Sequence, residues 1–175
     1  MTRSGEFLPY VSTMNTASDM DVLRRALNEE QISYLGFSYG TSLGATWATL
    51  FPETVRAAVL DAAVDPTKGY VDGLLLQAGG FESSLNAFLS KCNTSQCSFM
   101  KVGESAEDAF DRILLSLDQN PIANENDRTF TNQGVAQTGI AGALYGDYQW
   151  PQLESALSAA DLRDGQPLLI LFDEY

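Results

Sequence analysis

The sequence predicts an α/β fold whose strands are confined to the first third of the chain, with helices filling the rest. Three observations carry that prediction. A short apolar run with β propensity, Ile32 to Leu35, leads through a glycine-flanked turn into a helical pattern that Pro52 stops. A second run, Val55 to Asp61, is nearly continuous in apolar character, as strands buried in parallel sheets are. From Thr67 onward the apolar spacing is helical and never clearly returns to strands. The expected division is therefore a core over residues 1–66 and a helical cap or lid over 67–175.

In chain order, residues 1–13 read as irregular, with Pro9 fixing an extended or turning path. A helix follows. Asn15, Thr16 and Ser18 offer caps, Asp19 and Asp21 suit the positive end of its dipole, and Arg24 and Arg25 suit the other. Met20, Leu23, Ala26 and Leu27 give it an apolar face expected to pack on the sheet. After the first strand, Gly36 and Gly40 are expected where a Cβ would collide as the next helix folds back. That helix sets Leu43, Trp47, Leu50 and Phe51 on one face, and Gly44 lets it lie close to a sheet. Strand, helix and strand then form a right-handed βαβ unit. Ala62 to Pro66 leave the sheet at the edge where ligands bind in such folds.

In the second part, Leu74 to Leu76, Phe81, Leu85, Phe88 and Leu89 suggest one or two helices broken at Gly79-Gly80. Ala106, Phe110, Ile113, Leu114 and Leu117 repeat at the spacing of one helix face. Asn120 to Asn132 read as loop. Val135 to Tyr145 are compatible with a helix despite Gly139 and Gly142. Pro151 suits the first turn of another, with Asp164-Gly165 as its stop, and Pro167 to Tyr175 are apolar and then acidic.

The chemistry centres on Gly36-Phe37-Ser38-Tyr39-Gly40, which fits the G-x-S-x-G turn that presents a serine between strand and helix. Ser38 is the candidate nucleophile; an ordinary strand-to-helix turn with a solvated serine is the alternative. The chain has no histidine. A serine hydroxyl is a poor nucleophile until a base takes its proton, and Lys68, Lys91 and Lys101 come with no pattern supporting that role. Asp61 and Asp65 stand at the sheet edge, where aspartates more often cap turns than line sites. With two cysteines and no imidazole, zinc is not expected, nor is any cofactor. Cys92 and Cys97 could bridge a small loop in an oxidising compartment or remain inert thiols in a reducing one. Asn93-Thr94-Ser95 is a glycosylation sequon, a pattern short enough to recur by chance. A net charge of −13 argues against nucleic acid and anionic membranes as partners and would draw in a cationic group such as a peptide amino terminus. No apolar run approaches the ~18 residues of a membrane helix. The opening MTRSGEFLPY has no apolar core of a signal peptide, so no export signal is expected within the chain.

The stretch LGFSYGTSLGATWATLFPETVRAAVLDAAVDP resembles the nucleophile region of secreted bacterial α/β-hydrolases of the tripeptidyl and prolyl aminopeptidase type. FLPYVSTMNTASDMDVLRRALNEEQISY resembles the helix and strand before their elbow, and the Cys92 to Cys97 loop and YGDYQWPQLESALSAA resemble their helical cap. The resemblance implies a partial α/β-hydrolase fold and hydrolysis of peptide bonds near a free amino terminus through an acyl-enzyme on Ser38, with the backbone N–H of Tyr39 as one oxyanion donor. It also implies a secreted complete protein. The family's acid and histidine fall on strands after the cap, beyond Tyr175, and its second oxyanion donor before Met1; Asp61 and Asp65 do not match the acid's place. The expectation is therefore an internal fragment, inactive alone, with a peptide or small molecule as substrate of the complete protein. An esterase or acyltransferase on the same turn and a non-catalytic binding remnant are the alternatives.

Overall fold

The computed structural model describes residues 5–65, 67–125 and 128–175; the expectations for residues 1–4, for Pro66 and for 126–127 lie outside them. The chain divides into two compact units, Met1–Leu75 and Leu76–Tyr175.

In the first unit, helix α1 (Thr13–Ala26) precedes strand β1 (Ile32–Phe37), helix α2 (Tyr39–Leu50) and strand β2 (Val55–Asp61). The strands pair in parallel, with Gly36 opposite Leu60 and Phe37 opposite Asp61, so the expected βαβ order is present. Helix α2 lies on the face that holds Tyr34 and Leu60. A Cβ on Gly44 would strike the Tyr34 ring and come within 3.0 Å of Leu60 Cδ2, which is why this helix can approach only with glycine there. The buried line of α2 is Thr41, Gly44 and Trp47; of the expected face, Trp47 is fully buried, Leu43 and Phe51 are half-buried and Leu50 is exposed.

Helix α1 departs further from expectation. Its cap is Ser12, whose hydroxyl accepts from the Asn15 N–H, not one of the three polar residues inside the helix. It packs against α2, and its buried residues are Ala17 and Asp21, while Leu23 and Leu27 face outward at 62% and 72% exposure. Two features of these residues suit them to burial. Ala17 is small enough for close approach, and Asp21 is paired with Arg24 at 2.7 Å and Arg25 at 3.0 Å, so its charge is not buried alone. Arg24 also donates to the carbonyls of Glu29 and Glu30, tying the end of α1 to the segment that leads into β1.

Among the described residues, the opposite sheet face is bare. Leu35, Phe37 and Val59 are each about three-fifths exposed, so the near-continuous apolar character of β2 is not matched by burial among the described residues.

The second unit is helical: the later part of α3 (Tyr70–Ser95), then α4 (Ala106–Gln119), α5 (Gln133–Ala143), α6 (Trp150–Asp161) and α7 (Gln166–Glu174). Its core gathers Phe88, Phe99, Ile113, Leu117, Leu153, Leu157 and Leu168. The apolar stripe expected for α4 is buried as one face, from Ala106 to Leu117. Helix α3 runs unbroken through Gly79-Gly80, correcting the expected break. Glycine weakens a helix without blocking its hydrogen bonds as proline does, and Phe88, Leu89 and Cys92 anchor the C-terminal half of α3 in the core. Gly139 leaves α5 intact for a different reason: a Cβ there would lie 2.9 Å from the backbone of both Leu168 and Phe172, so the glycine permits a close crossing of α5 and α7. Helix α6 ends before the expected stop, at Asp161, and Arg163 rather than a glycine takes the left-handed conformation (φ 66°). Gly165 instead makes room for Thr131, whose Oγ1 would be 2.7 Å from an added Cβ. Arg112 of α4 ties the unit together, donating to Glu104, Asp161 and the Phe99 carbonyl.

Candidate active site at the end of the first strand

Ser38 stands alone between β1 and α2, with φ 50° and ψ −121°. Non-glycine residues avoid this region, and holding one there costs of order 1–3 kcal/mol. The conformation turns the chain sharply enough for α2 to run back over β1 and leaves the side chain exposed. Although Ser38 occupies the N-cap of α2, its hydroxyl caps nothing and makes no hydrogen bond among the described residues. An ordinary capping serine would accept from the helix's first turn. Here that oxygen is free.

Two groups hold the turn from below. The Tyr34 hydroxyl donates to the Gly40 carbonyl at 2.6 Å, and its ring packs under Gly36 and Gly44 and tilts against Trp47 at 5.9 Å. Burial, with a smaller contribution from the nearby Tyr39 phenol, raises the Tyr34 pKa, so this hydroxyl keeps its proton and remains a donor near neutral pH. The two motif glycines differ in the room around them. At Gly36 a methyl would sit 2.6 Å from the Gly40 carbonyl oxygen. At Gly40 the nearest atom is 3.6 Å away, which corrects the expectation that both positions exclude a side chain.

Tyr39 begins α2, and its backbone N–H, at the first helical position, has no intrahelical acceptor. The positive end of the helix dipole thus lies beside the Ser38 oxygen, where an anion would be stabilised. The Tyr39 phenol reaches to Thr13 Oγ1 at 2.8 Å.

The remaining candidates separate into distinct roles. Asp61 accepts the Ser38 N–H through its main-chain carbonyl at 3.1 Å, and its carboxylate is exposed. Asp65 accepts from the Thr67 hydroxyl and N–H; these bonds lower its pKa, the turn-capping role that such positions favour. Lys91 lies over the Trp150 ring at 5.3 Å, and no lysine hydrogen-bonds to Ser38 among the described residues. Cys92 and Cys97 are joined by a disulfide buried in the core of the helical unit. Asn93 of the sequon donates to Glu107 and accepts from the Ala106 N–H, so its amide is already engaged. No group of three or more histidine, cysteine or carboxylate side chains suited to a metal is present among the described residues.

Sequence reasoning missed Tyr34 and Thr41. The signals were present: an aromatic residue two positions before Gly36 points to the same strand face, and a threonine three residues after the serine can bond back to its carbonyl.

The chain is 34% identical over 176 residues to serine protease Hip1 of Mycobacterium tuberculosis, an alignment that takes in 97% of this chain and 34% of the relative. Tripeptidyl aminopeptidase of Streptomyces lividans is 56% identical over 66 residues, 38% of this chain and 12% of that protein. Carboxylesterase B of Mycobacterium tuberculosis is 34% identical over 174 residues, 97% of this chain and 33% of the relative. The chain thus spans about a third of the length of the relatives it matches most fully. Its residues 4–174 match the α/β hydrolase fold. Two parallel strands joined through a helix, a strained serine at the bend and the match over nearly the whole chain agree: the chain belongs to the α/β-hydrolase fold family.

Proposed function

We propose that Ser38 is the nucleophile of a serine peptidase that acts near a free amino terminus, and that this chain supplies the nucleophile and one oxyanion donor, the Tyr39 N–H, to a longer polypeptide. The observation behind the proposal is the unbonded Ser38 hydroxyl on a strained turn at the N-terminus of α2. The similarity to a serine protease and to a tripeptidyl aminopeptidase supports the peptidase reading, and the chain's acidity suits a cationic substrate end.

In the proposed reaction the Ser38 oxygen attacks a carbonyl carbon while a base takes its proton. The Tyr39 N–H and the helix dipole stabilise the charge that develops on the carbonyl oxygen. The leaving amine departs with a proton, and water then releases the acyl group. Because these 175 residues contain no histidine, the imidazole comes from outside this stretch of polypeptide. General-base help is worth roughly 10²- to 10⁴-fold, so the chain alone is expected to have negligible turnover. The complete protein is proposed to be secreted, as the aminopeptidases that this sequence resembles are.

The test is an assay of the polypeptide extended by in-frame coding sequence on both sides, with tripeptide amides carrying free or acetylated amino termini and a simple aryl ester. The expected result is turnover of the free-amino amide that disappears in Ser38→Ala. A second reading, an esterase, is favoured by the similarity to carboxylesterase B over nearly the same span. Turnover of the ester with none of either amide would establish it in place of the first.

A further inference from the structure

Building on the reading of Ser38 as a nucleophile, we infer that Thr41 is its positioning residue: one buried hydroxyl that fixes the elbow conformation and locks the loop after β2 against it. A residue with positive φ stays there only if both of its dihedrals are restrained. At Ser38 the N–H donates to the Asp61 carbonyl at 3.1 Å, which restrains φ from the β2 side. The Ser38 carbonyl, whose direction is set by ψ, accepts twice from a single residue. It takes the Thr41 N–H at 2.9 Å and the Thr41 Oγ1–H at 2.6 Å.

Thr41 is 1% exposed, so its hydroxyl cannot exchange this bond for water. Its lone pair is also in use: Oγ1 accepts the Val64 N–H at 2.9 Å. The hydroxyl therefore couples the Ser38 carbonyl to the segment just past β2. That segment contains the next unusual backbone in the unit, Ala62 with φ 55°. Ser38 directly follows Phe37 and Ala62 directly follows Asp61, and Phe37 and Asp61 are register partners, so the two left-handed residues leave the sheet side by side. Thr41 spans both exits. A residue serving α2 alone would bond only back along its own helix, as Thr46 and Thr49 do to Ser42 and Ala45. Losing the hydroxyl should free the direction of the nucleophile while leaving the contacts of a bound reagent unchanged.

The test compares Thr41→Val, which keeps the shape, and Thr41→Ser, which keeps the hydroxyl, in the 175-residue chain. The probe is a fluorophosphonate in imidazole buffer: the Ser38 Oγ–P bond forms, the P–F bond breaks, fluoride leaves and imidazole takes the serine proton. Thr41→Val is expected to slow the limiting rate of modification roughly tenfold at unchanged reagent affinity, the signature of misplacement, with Thr41→Ser close to the parent. Hydrogen exchange supplies a second readout, with the Val64 amide exposed in Thr41→Val, protected in Thr41→Ser, and the amides of α4 unchanged in both. Thr41→Ala replaces Thr41→Val if the latter does not fold. Parent-like modification in Thr41→Val, or equal losses in the valine and serine variants, would overturn the inference. If the parent reacts no faster than Ser38→Ala, the nucleophile reading itself fails. Exchange at Val64 then decides whether Thr41 fixes the elbow, and unchanged protection in Thr41→Val rejects that too.

Discussion

At Gly36 a single methyl group decides whether α2 can close on β1. The added carbon would press on the Gly40 carbonyl oxygen, which is backbone and cannot swing aside, so Gly36→Ala is expected to destabilise the first unit by at least the ~1–3 kcal/mol typical of overpacking. Gly40→Ala meets nothing closer than 3.6 Å and gains helix propensity worth up to about 1 kcal/mol, so its urea midpoint should equal or exceed that of the parent. The same titration on Tyr34→Phe should show a loss of about 1 kcal/mol, the net worth of its bond to the Gly40 carbonyl. A Gly36→Ala midpoint matching that of Gly40→Ala would mean that the turn is not packed as described. The G-x-S-x-G pattern made the turn at Ser38 legible from sequence because so tight a bend between strand and helix leaves no room for a side chain at Gly36. Thr41 and Tyr34 were not, since a threonine or tyrosine is ordinary until its distant partner is known, and those partners are backbone atoms of Val64 and Gly40.

Among the elements, the long helix α3 offers a direct test of propensity. Neither Gly79 nor Gly80 has any atom within 4 Å of a built Cβ, so alanine at either site should stabilise the helix by about 1 kcal/mol, read as a higher thermal midpoint. A lower midpoint would reveal a close contact at these glycines. In the helical unit, hydrogen bonding from Arg112 of α4, the largest cause, lowers the Glu104 pKa from 4.5 to about 2. A depressed carboxylate stabilises the fold fully above its unfolded pKa and loses that contribution as pH falls through the folded value. The melting temperature should therefore drop between pH 4.5 and about 2, with a shallower drop in Glu104→Gln. Parallel curves for the two proteins would exclude this ion pair as a source of acid sensitivity. Periodicity made the α4 stripe readable because all its apolar positions face one core. It failed for α1, where a small residue and a compensated aspartate are the buried ones and the leucines face outward. Glycines gave a mixed signal for the same reason: Gly139 serves a helix crossing and Gly79 none, a difference that lies in the neighbours rather than in the residue.

On the scale of the whole molecule, the sheet holds the clearest unmet demand. Leu35, Phe37 and Val59 present apolar side chains on a face that no described residue of the first unit covers, and a two-stranded parallel sheet has two open edges. Concentration-dependent association of the isolated chain should follow, measurable by sedimentation velocity, and it should weaken in Phe37→Lys. A sharp, reversible melt of a strictly monomeric chain would contradict it. The reaction proposed for Ser38 needs a base as well, and no imidazole exists in this sequence. The most direct measurement is therefore to map the adduct by mass spectrometry after exposing the parent chain and Ser38→Ala to a fluorophosphonate with and without imidazole. An adduct on Ser38 that imidazole accelerates and that Ser38→Ala lacks is the expected result. Modification at other residues, to the same extent in both proteins, would contradict it.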